Sequence, residues 1–274
     1  MIENINWYPG HMKKTRELIQ ENLKMVDAVI EVVDARIPVS SRNPIIDELV
    51  KRKPRVIALN KSDLADESAT KVWAEYLTER EAAVKAVSVN SMSGAGVKTL
   101  LKILEGMGAK RLMIVGVPNC GKSSLINRLT GKKSAKTGNK PGVTKGKQWL
   151  RLGNGMQLLD TPGILWPKFE DPKVGLNLAF CGSIKDEILD VPTLGMELIG
   201  VLMARYPDML KERYKLNEMG ETPLETMEAM ALKRGCIMSG KRIDYERIGK
   251  LVLDEFRSAK IGRITLEMPE KPST

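Results

Sequence analysis

The sequence predicts an α/β protein, with a doubly wound, mostly parallel sheet followed by a small all-helical region. Over residues 1–173, short β-branched apolar runs alternate with stretches of helical periodicity. One of these runs opens directly into a glycine-rich turn and a helical pattern at residues 111–130. From residue 174 onward the chain is rich in Met and Leu at helical spacing, so we expect a domain boundary between residues 173 and 174.

The first helix is predicted at residues 13–23, where apolar residues share one face. Tyr8-Pro9-Gly10 predicts a turn that leads into this helix. His11, which follows the turn, is the single histidine of the sequence. Its residue type alone leaves two interpretations open: a catalytic group, or a surface or packing residue.

Two buried strands are predicted next, at residues 26–33 and 55–59, with a short helix at residues 45–50 between them. The second strand ends in Asn60-Lys61-Ser62-Asp63, the N-K-x-D motif. Open α/β sheets bind their ligands at the carboxyl ends of the strands. The position of the motif therefore favours a binding role, although a polar strand-to-helix loop is the alternative.

The N-K-x-D motif has a specific chemical interpretation. The Asp63 carboxylate can accept hydrogen bonds from N1–H and the 2-amino group of guanine, a pair of donors that adenine lacks. Adenine would leave a buried Asp63 unpaired, which is costly. We expect Asn60 to link this segment to the glycine-rich turn, and the Lys61 stem to lie over the base plane.

A helix at residues 67–80 and a third strand at residues 83–89 come next, and the strand runs into Asn90-Ser91 and a small polar turn. A turn of this kind at a strand end suits a loop whose backbone N–H groups face the guanine O6. Its pattern is of low specificity.

Gly116-Val117-Pro118-Asn119-Cys120-Gly121-Lys122-Ser123 lies between an apolar run and a helical pattern, the context that a P-loop requires. The N–H groups of such a loop and the helix N-terminus after it bind phosphate. We expect Lys122 to contact the β- and γ-phosphates, and the Ser123 hydroxyl to bind Mg²⁺. The alternative is a glycine-rich strand-to-helix turn without a ligand.

Residues 131–151 are predicted to form a loop that senses the γ-phosphate. The segment carries seven Lys or Arg residues and no acidic residue, and it includes Pro141-Gly142-Val143-Thr144. Thr144 is the hydroxyl expected to complete the Mg²⁺ shell. The basic residues suit an anionic partner, and simple solvation is the alternative.

A further strand at residues 156–159 ends in Asp160-Thr161-Pro162-Gly163. We expect Asp160 to hold Mg²⁺ through water and the Gly163 N–H to contact the γ-phosphate. Helices are then predicted at residues 194–206, 222–233 and 244–258, and their apolar stripes favour a bundle core.

Composition narrows the class of protein. The net charge of +10 and the pI of about 9.4 favour a polyanionic partner, nucleic acid before membrane. No run approaches the roughly 18 apolar residues of a membrane span, and the start resembles no leader, so we expect a cytoplasmic protein. Cys120, Cys181 and Cys236 are widely spaced and are expected to be reduced thiols.

Together these motifs resemble those of translation-factor-type GTPases, but the base-recognition loops precede the P-loop instead of following it. The sequence is similar to the circularly permuted GTPases, and within them to the bacterial YlqF/RbgA family of large-ribosomal-subunit assembly factors. The segments that carry the resemblance are Trp7-Tyr8-Pro9-Gly10-His11-Met12, Asp34-Ala35-Arg36, Asn60-Lys61-Ser62-Asp63, the P-loop, Pro141-Gly142-Val143-Thr144 and Asp160-Thr161-Pro162-Gly163-Ile164-Leu165-Trp166-Pro167. There are two departures: Cys120 replaces the usual Val, and Asn90-Ser91 replaces the Ser-Ala of ordinary GTPases.

The resemblance implies slow GTP hydrolysis, stimulated by the large (50S) ribosomal subunit, by a monomer that binds pre-50S particles and their rRNA. Ile164 stands where many GTPases have a Gln that orients water, and the resemblance implies that His11 takes this role. It also makes Asn119 a candidate K⁺ ligand beside Mg²⁺. An RNA-binding scaffold with negligible hydrolysis, and an ATP-using kinase or ATPase, are the alternatives.

The predicted catalytic residues are His11, Lys122, Thr144 and Gly163. The residues predicted to bind GTP or GDP are Asn60, Lys61, Asp63, Asn90, Ser91, Asn119, Cys120, Gly121, Lys122, Ser123, Ser124, Thr144, Asp160 and Gly163. The predicted metal ligands are Ser123, Thr144 and Asp160 for Mg²⁺, and Asn119 for K⁺.

Overall fold

A computed structural model describes residues 9–80, 84–131, 149–161, 169 and 171–269, with side chains from residue 16 onward. The strands are β1 Ala28–Asp34, β2 Arg55–Asn60, β3 Val84–Ser88, β4 Arg111–Gly116, β5 Trp149–Arg151 and β6 Gln157–Asp160. The helices are α1 Pro9–Leu23, α2 Pro44–Val50, α3 Glu67–Arg80, α4 Val97–Gly106, α5 Lys122–Thr130, α6 Pro172–Phe180, α7 Val191–Arg205, α8 Pro207–Tyr214, α9 Pro223–Arg234 and α10 Tyr245–Arg257.

The six strands form one sheet in the order β3-β2-β1-β4-β6-β5, and all neighbours are parallel except β5 and β6. The chain builds outward from β1 through β2 to β3, and then returns to place β4 on the other side of β1. The topological switch point thus lies between β1 and β4. Ligands of open α/β sheets bind at such a point, beyond the carboxyl ends of the strands.

Helices cover both faces of the sheet, because the central strands are apolar on both sides. Val29 packs with Ile19 of α1 and Ile46 of α2, whereas its neighbour Ile30 belongs to the opposite face with Leu100 of α4. Adjacent residues of a strand point to opposite faces, so a continuous apolar run is required for burial on both sides. The predicted doubly wound, mostly parallel fold is confirmed.

The C-terminal helices pack around α7 and α10, which cross at two glycines. A Cβ atom on Gly195 of α7 would lie 2.6 Å from the Cα of Gly249 in α10, so this close approach requires glycine. The hydrophobic core continues from the sheet into these helices without a break. The domain boundary between residues 173 and 174 stays a prediction, and the position falls inside α6.

Two local expectations are wrong. The first helix begins at Pro9 rather than at residue 13, because proline at the first helical position loses no intrahelical hydrogen bond. The segment 131–151, predicted as a loop throughout, ends in the edge strand β5, which pairs antiparallel with β6. Among the described residues, no helix combines the length and apolarity that crossing a membrane requires.

Candidate functional site

The P-loop connects β4 to α5 at the switch point of the sheet. A Cβ atom on Gly116 would lie 2.6 Å from the Val32 carbonyl oxygen and 2.8 Å from the Cys120 sulfur. Gly121 has a φ of 90° and Asn119 a φ of 59°, so both lie in the left-handed region. These constraints produce a tight loop that ends at the N-terminus of a nine-residue helix.

Asn60 joins three loops of the predicted site through a buried side chain. Its Nδ2 donates to the Cys120 carbonyl oxygen of the P-loop at 3.0 Å. Its Oδ1 accepts from the Ser91 hydroxyl at 2.7 Å and from the Ser91 N–H at 3.3 Å. The expected link between Asn60 and the P-loop is therefore confirmed. A Cβ atom on Gly121 would overlap the Asn60 amide, so the contact also requires glycine there.

Lys61 and Asp34 connect the ends of β2 and β1. The Lys61 ammonium lies 2.9 Å from Asp34 Oδ2, and Arg36 donates to both carboxylate oxygens of Asp34, at 2.9 and 2.7 Å. Asp34 and Arg36 are almost completely buried. Burial opposes ionisation of Asp34, but the charges of Arg36 and Lys61 outweigh it and hold the pKa of Asp34 well below its usual range.

Lys122 and Asp160, predicted to bind phosphate and Mg²⁺, form an ion pair with a distance of 2.7 Å from Nζ to Oδ1. Their side chains are 10% and 15% exposed. Because Lys122 begins α5 and Asp160 ends β6, the pair joins the P-loop to the neighbouring strand. Ser123 and Ser124 follow Lys122 in the first turn of α5 and are partly exposed.

The loop after β3 is held by its own side chains and by α5. Asn90 Oδ1 accepts from the N–H groups of Met92 and Ser93, at 2.8 and 3.0 Å. Arg128 of α5 donates to the Ser91 carbonyl oxygen at 3.0 Å and also to the carbonyl oxygen of Met92. The P-loop helix and this loop therefore keep a fixed relation. The Asp63 side chain, which precedes this loop in the chain, is exposed.

The structure also describes the surroundings of Cys120 and Asn119 in the P-loop. Burial raises the pKa of the Cys120 thiol to about 11, so the group is protonated at neutral pH. Cys120, Cys181 and Cys236 are buried and free of disulfides, as predicted. Asn119 Nδ2 donates to the carbonyl oxygen of Gly182, just beyond α6, at 2.5 Å.

Some predicted site residues lie outside the part of the chain that can be described. His11 belongs to the first turn of α1, but its side chain is not described. Thr144, Gly163 and Ile164 lie outside the described residues altogether. Sequence reasoning assigned no role to Arg36 or Arg128. Arg36 belongs to the Asp34-Ala35-Arg36 segment, and its partner Asp34 is two residues away. Arg128 contacts the loop after β3, which lies far from it in the sequence, so no local pattern indicates that contact.

The residues present fit a nucleotide phosphate with Mg²⁺. A glycine cradle that a Cβ would fill, followed by a helix N-terminus, is the arrangement that binds phosphate. The Ser123 hydroxyl and the Asp160 carboxylate are oxygen ligands of the kind that Mg²⁺ prefers. Within the described residues, Lys122 is the cation positioned at the start of the same helix.

Comparison with known proteins agrees with this geometry. The family described as 50S ribosome-binding GTPase matches residues 111–222. Ribosome biogenesis GTPase A of Bacillus cereus is 48% identical over 282 residues, covering 97% of this chain and 95% of that protein. Mitochondrial ribosome-associated GTPase 1 of Bos taurus is 32% identical, covering 95% of this chain and 88% of that protein.

A solved structure supports the same assignment. The crystal structure of GNP-bound YlqF from T. maritima superposes with a TM-score of 0.69 at 33% identity, covering 94% of this chain and 99% of that chain. The resemblance predicted from the motifs is confirmed. Because a 48% identical relative aligns with nearly its whole length, this chain belongs to the ribosome biogenesis GTPase A family.

Proposed function

We propose that this GTPase acts in assembly of the large ribosomal subunit, binding pre-50S particles in its GTP state and leaving them after hydrolysis. The observation that carries the proposal is the Asn60 side chain, which joins the N-K-x-D motif, the P-loop and the loop after β3 in one site. These three loops have the chemistry to bind the two ends of a guanine nucleotide. Work on ribosomal particles makes the cytoplasm the expected location.

Recognition of the base rests on the carboxyl ends of β2 and β3. The exposed Asp63 carboxylate accepts from guanine N1–H and the 2-amino group, and the Lys61 stem covers the base plane. Asn90 shapes the loop whose N–H groups face the base. ATP presents the wrong donors to Asp63, so it is discriminated against.

Binding of the phosphates requires the Lys122–Asp160 ion pair to separate. Lys122 turns its ammonium from Asp160 to the β- and γ-phosphates, and the N–H groups of the loop that includes Cys120 and Gly121 surround the β-phosphate. Asp160, released from Lys122, would then hold Mg²⁺ together with Ser123 and Thr144. Bound Mg²⁺ would supply positive charge that neutralises the phosphate oxygens.

Three further roles concern hydrolysis. His11 orients the attacking water, since an Ile at position 164 has no polar group for that task, and the Gly163 N–H donates to the γ-phosphate. Asn119 is proposed as a K⁺ ligand through Oδ1, because its Nδ2 is already bonded to the Gly182 carbonyl oxygen. Equal turnover in KCl and NaCl would contradict the K⁺ site.

Two features connect the nucleotide site to the proposed ribosomal partner: a basic segment and a contact with the helical region. Residues 131–151 carry seven basic residues and no acidic one, which suits contact with rRNA phosphates. The hydrogen bond from Asn119 to Gly182 connects the P-loop to the start of the helical region. A change at the phosphates can therefore reach the helices, and through them the bound particle.

Single-turnover assays with and without large subunits test the proposal. We expect slow GTP hydrolysis by the chain alone, acceleration by the subunits, and little competition from excess ATP. Lys122→Ala is the control for contaminating enzymes and should abolish the stimulated rate. Unstimulated hydrolysis in the presence of tightly bound subunits would favour the RNA-binding scaffold instead, and equal competition by ATP would contradict guanine recognition.

A further inference from the structure

The segment after α10 returns to the sheet and crosses the loops that follow β1 and β2. The Leu266 N–H donates to the Arg36 carbonyl oxygen at 2.7 Å, and the Ile264 N–H donates to the Leu64 carbonyl oxygen at 3.2 Å. Ile264 and Leu266 are fully buried. The C-terminal residues 261–268, here called the tail, are therefore anchored against the nucleotide-binding half of the molecule.

One tail residue holds the loop that carries Asp63. Arg263 Nε donates to the Ala65 carbonyl oxygen at 3.0 Å, and its Nη2 donates to the Ser62 carbonyl oxygen at 2.9 Å. The third nitrogen, Nη1, lies 3.6 Å from Glu67 Oε2 at the start of α3. The planar guanidinium thus bonds to residues on both sides of Asp63 through separate nitrogens, whereas a lysine ammonium has one nitrogen.

The opposite side of the same loop is also held. The Ser62 N–H donates to the Val89 carbonyl oxygen of the neighbouring strand end at 3.2 Å, and Lys61 is fixed by its ion pair with Asp34. Asp63 is the exposed residue between these fixed points. The backbone on both sides of Asp63 is therefore held in place. The tail contributes the bond from Ile264 to Leu64 and the Arg263 side chain, and Arg263 is the side chain that bonds on both sides of Asp63.

We propose that Arg263 is a positioning residue for guanine recognition, holding the loop so that Asp63 faces the 2-amino group and N1–H of the base. The inference rests on the proposed role of Asp63. It adds a residue from the end of the chain to a site otherwise built from the sheet loops. Through Arg263, the tail contributes to nucleotide selectivity as well as to stability.

The test compares binding of GDP and IDP, because the hypoxanthine base of IDP lacks only the 2-amino group. Fluorescent analogues of both nucleotides are titrated into the full-length wild type and Arg263→Ala. The wild type should prefer GDP by about ten- to hundredfold, the range for one hydrogen bond to a charged group. Arg263→Ala should lose most of this preference through weaker GDP binding, with IDP binding changed by less than about threefold.

Two controls separate positioning from folding. Lys260→Ala removes a positive charge from an exposed residue just before the tail and should keep the wild-type preference. Arg263→Lys can donate to one of the two carbonyl oxygens and should retain an intermediate preference. A purely structural role for Arg263 would weaken both nucleotides equally, because partial unfolding does not distinguish bases, and that result would overturn the proposal.

The possible failures are distinguishable. If the wild type itself binds GDP and IDP equally, or if Asp63→Ala keeps the preference, the assignment of Asp63 is wrong. If the wild type prefers GDP, Asp63→Ala loses the preference and Arg263→Ala keeps it, the positioning role is wrong while guanine recognition by Asp63 stands.

Discussion

Replacing Asn60 by alanine tests whether its hydrogen bonds hold the site together, because this one buried side chain bonds to two other loops. The substitution removes the bond to the Cys120 carbonyl oxygen and both bonds to Ser91. Asn60 is 1% exposed, so water cannot replace these partners without opening the loops. The N-K-x-D motif, the P-loop and the loop after β3 would lose their common contact.

The magnitude follows from the number of bonds. A buried hydrogen bond contributes about 1 kcal/mol net, so the loss of three predicts that Asn60→Ala lowers the free energy of unfolding by about 3 kcal/mol. Ser91→Ala removes only the bond from its hydroxyl and should cost about 1 kcal/mol. The double variant should be less destabilised than the sum of the two by about 1 kcal/mol, the coupling between the pair.

Urea unfolding of the nucleotide-free protein, followed by tryptophan fluorescence, measures these values. Ser93→Ala is the matched control, because the exposed Ser93 hydroxyl in the same loop makes one long bond of 3.3 Å to the Ala95 N–H. We expect its effect to be below about 0.5 kcal/mol. The reasoning would be refuted if Asn60→Ala lowered the free energy of unfolding no more than Ser93→Ala does. It would also be refuted if the losses from Asn60→Ala and Ser91→Ala added fully in the double variant.

Three other substitutions test separate parts of the account. Asp63→Asn should shift preference from guanine toward xanthine nucleotides in competition binding, because an amide also donates; unchanged preference contradicts the assignment. His11→Ala should lower subunit-stimulated kcat by about a hundredfold and leave GTP affinity intact, and normal stimulated turnover removes His11 from the mechanism. Asp34→Asn should destabilise by about 3–5 kcal/mol, since Arg36 and Lys61 lose their partner. Because the folded-state pKa of Asp34 is lowered, this difference should be full above its ordinary pKa of 3.8 and shrink as the pH falls below it; a difference independent of pH would contradict the pairing.

The central strands could be predicted because strands buried on both faces are continuous apolar runs, as in β1 and β2. The edge strand β5 could not, since three residues with polar neighbours carry no such pattern and pair only through β6. The start of α1 was misplaced because Pro-Gly suits a turn as well as a first helical turn. Local sequence does not decide between these two.

In the site, too, some contacts could be predicted from the sequence and others could not. Asn60 and its link to the P-loop could be predicted, because a motif at a strand end implies its neighbours at the same sheet edge. The contacts of Arg36 with Phe256, and of Arg263 with Ser62, join residues about 200 positions apart. Only packing of the C-terminal segment onto the sheet creates them, so no sequence period or short motif could indicate them.

The central claim is that the nucleotide controls association with the large-subunit precursor. Co-sedimentation of the full-length chain with pre-50S particles, in a non-hydrolysable GTP analogue and in GDP, tests it most directly. The account predicts binding at least tenfold tighter with the analogue, and predicts that the preference disappears in Lys122→Ala. Equal binding in both nucleotides, or no binding in either, would contradict the claim.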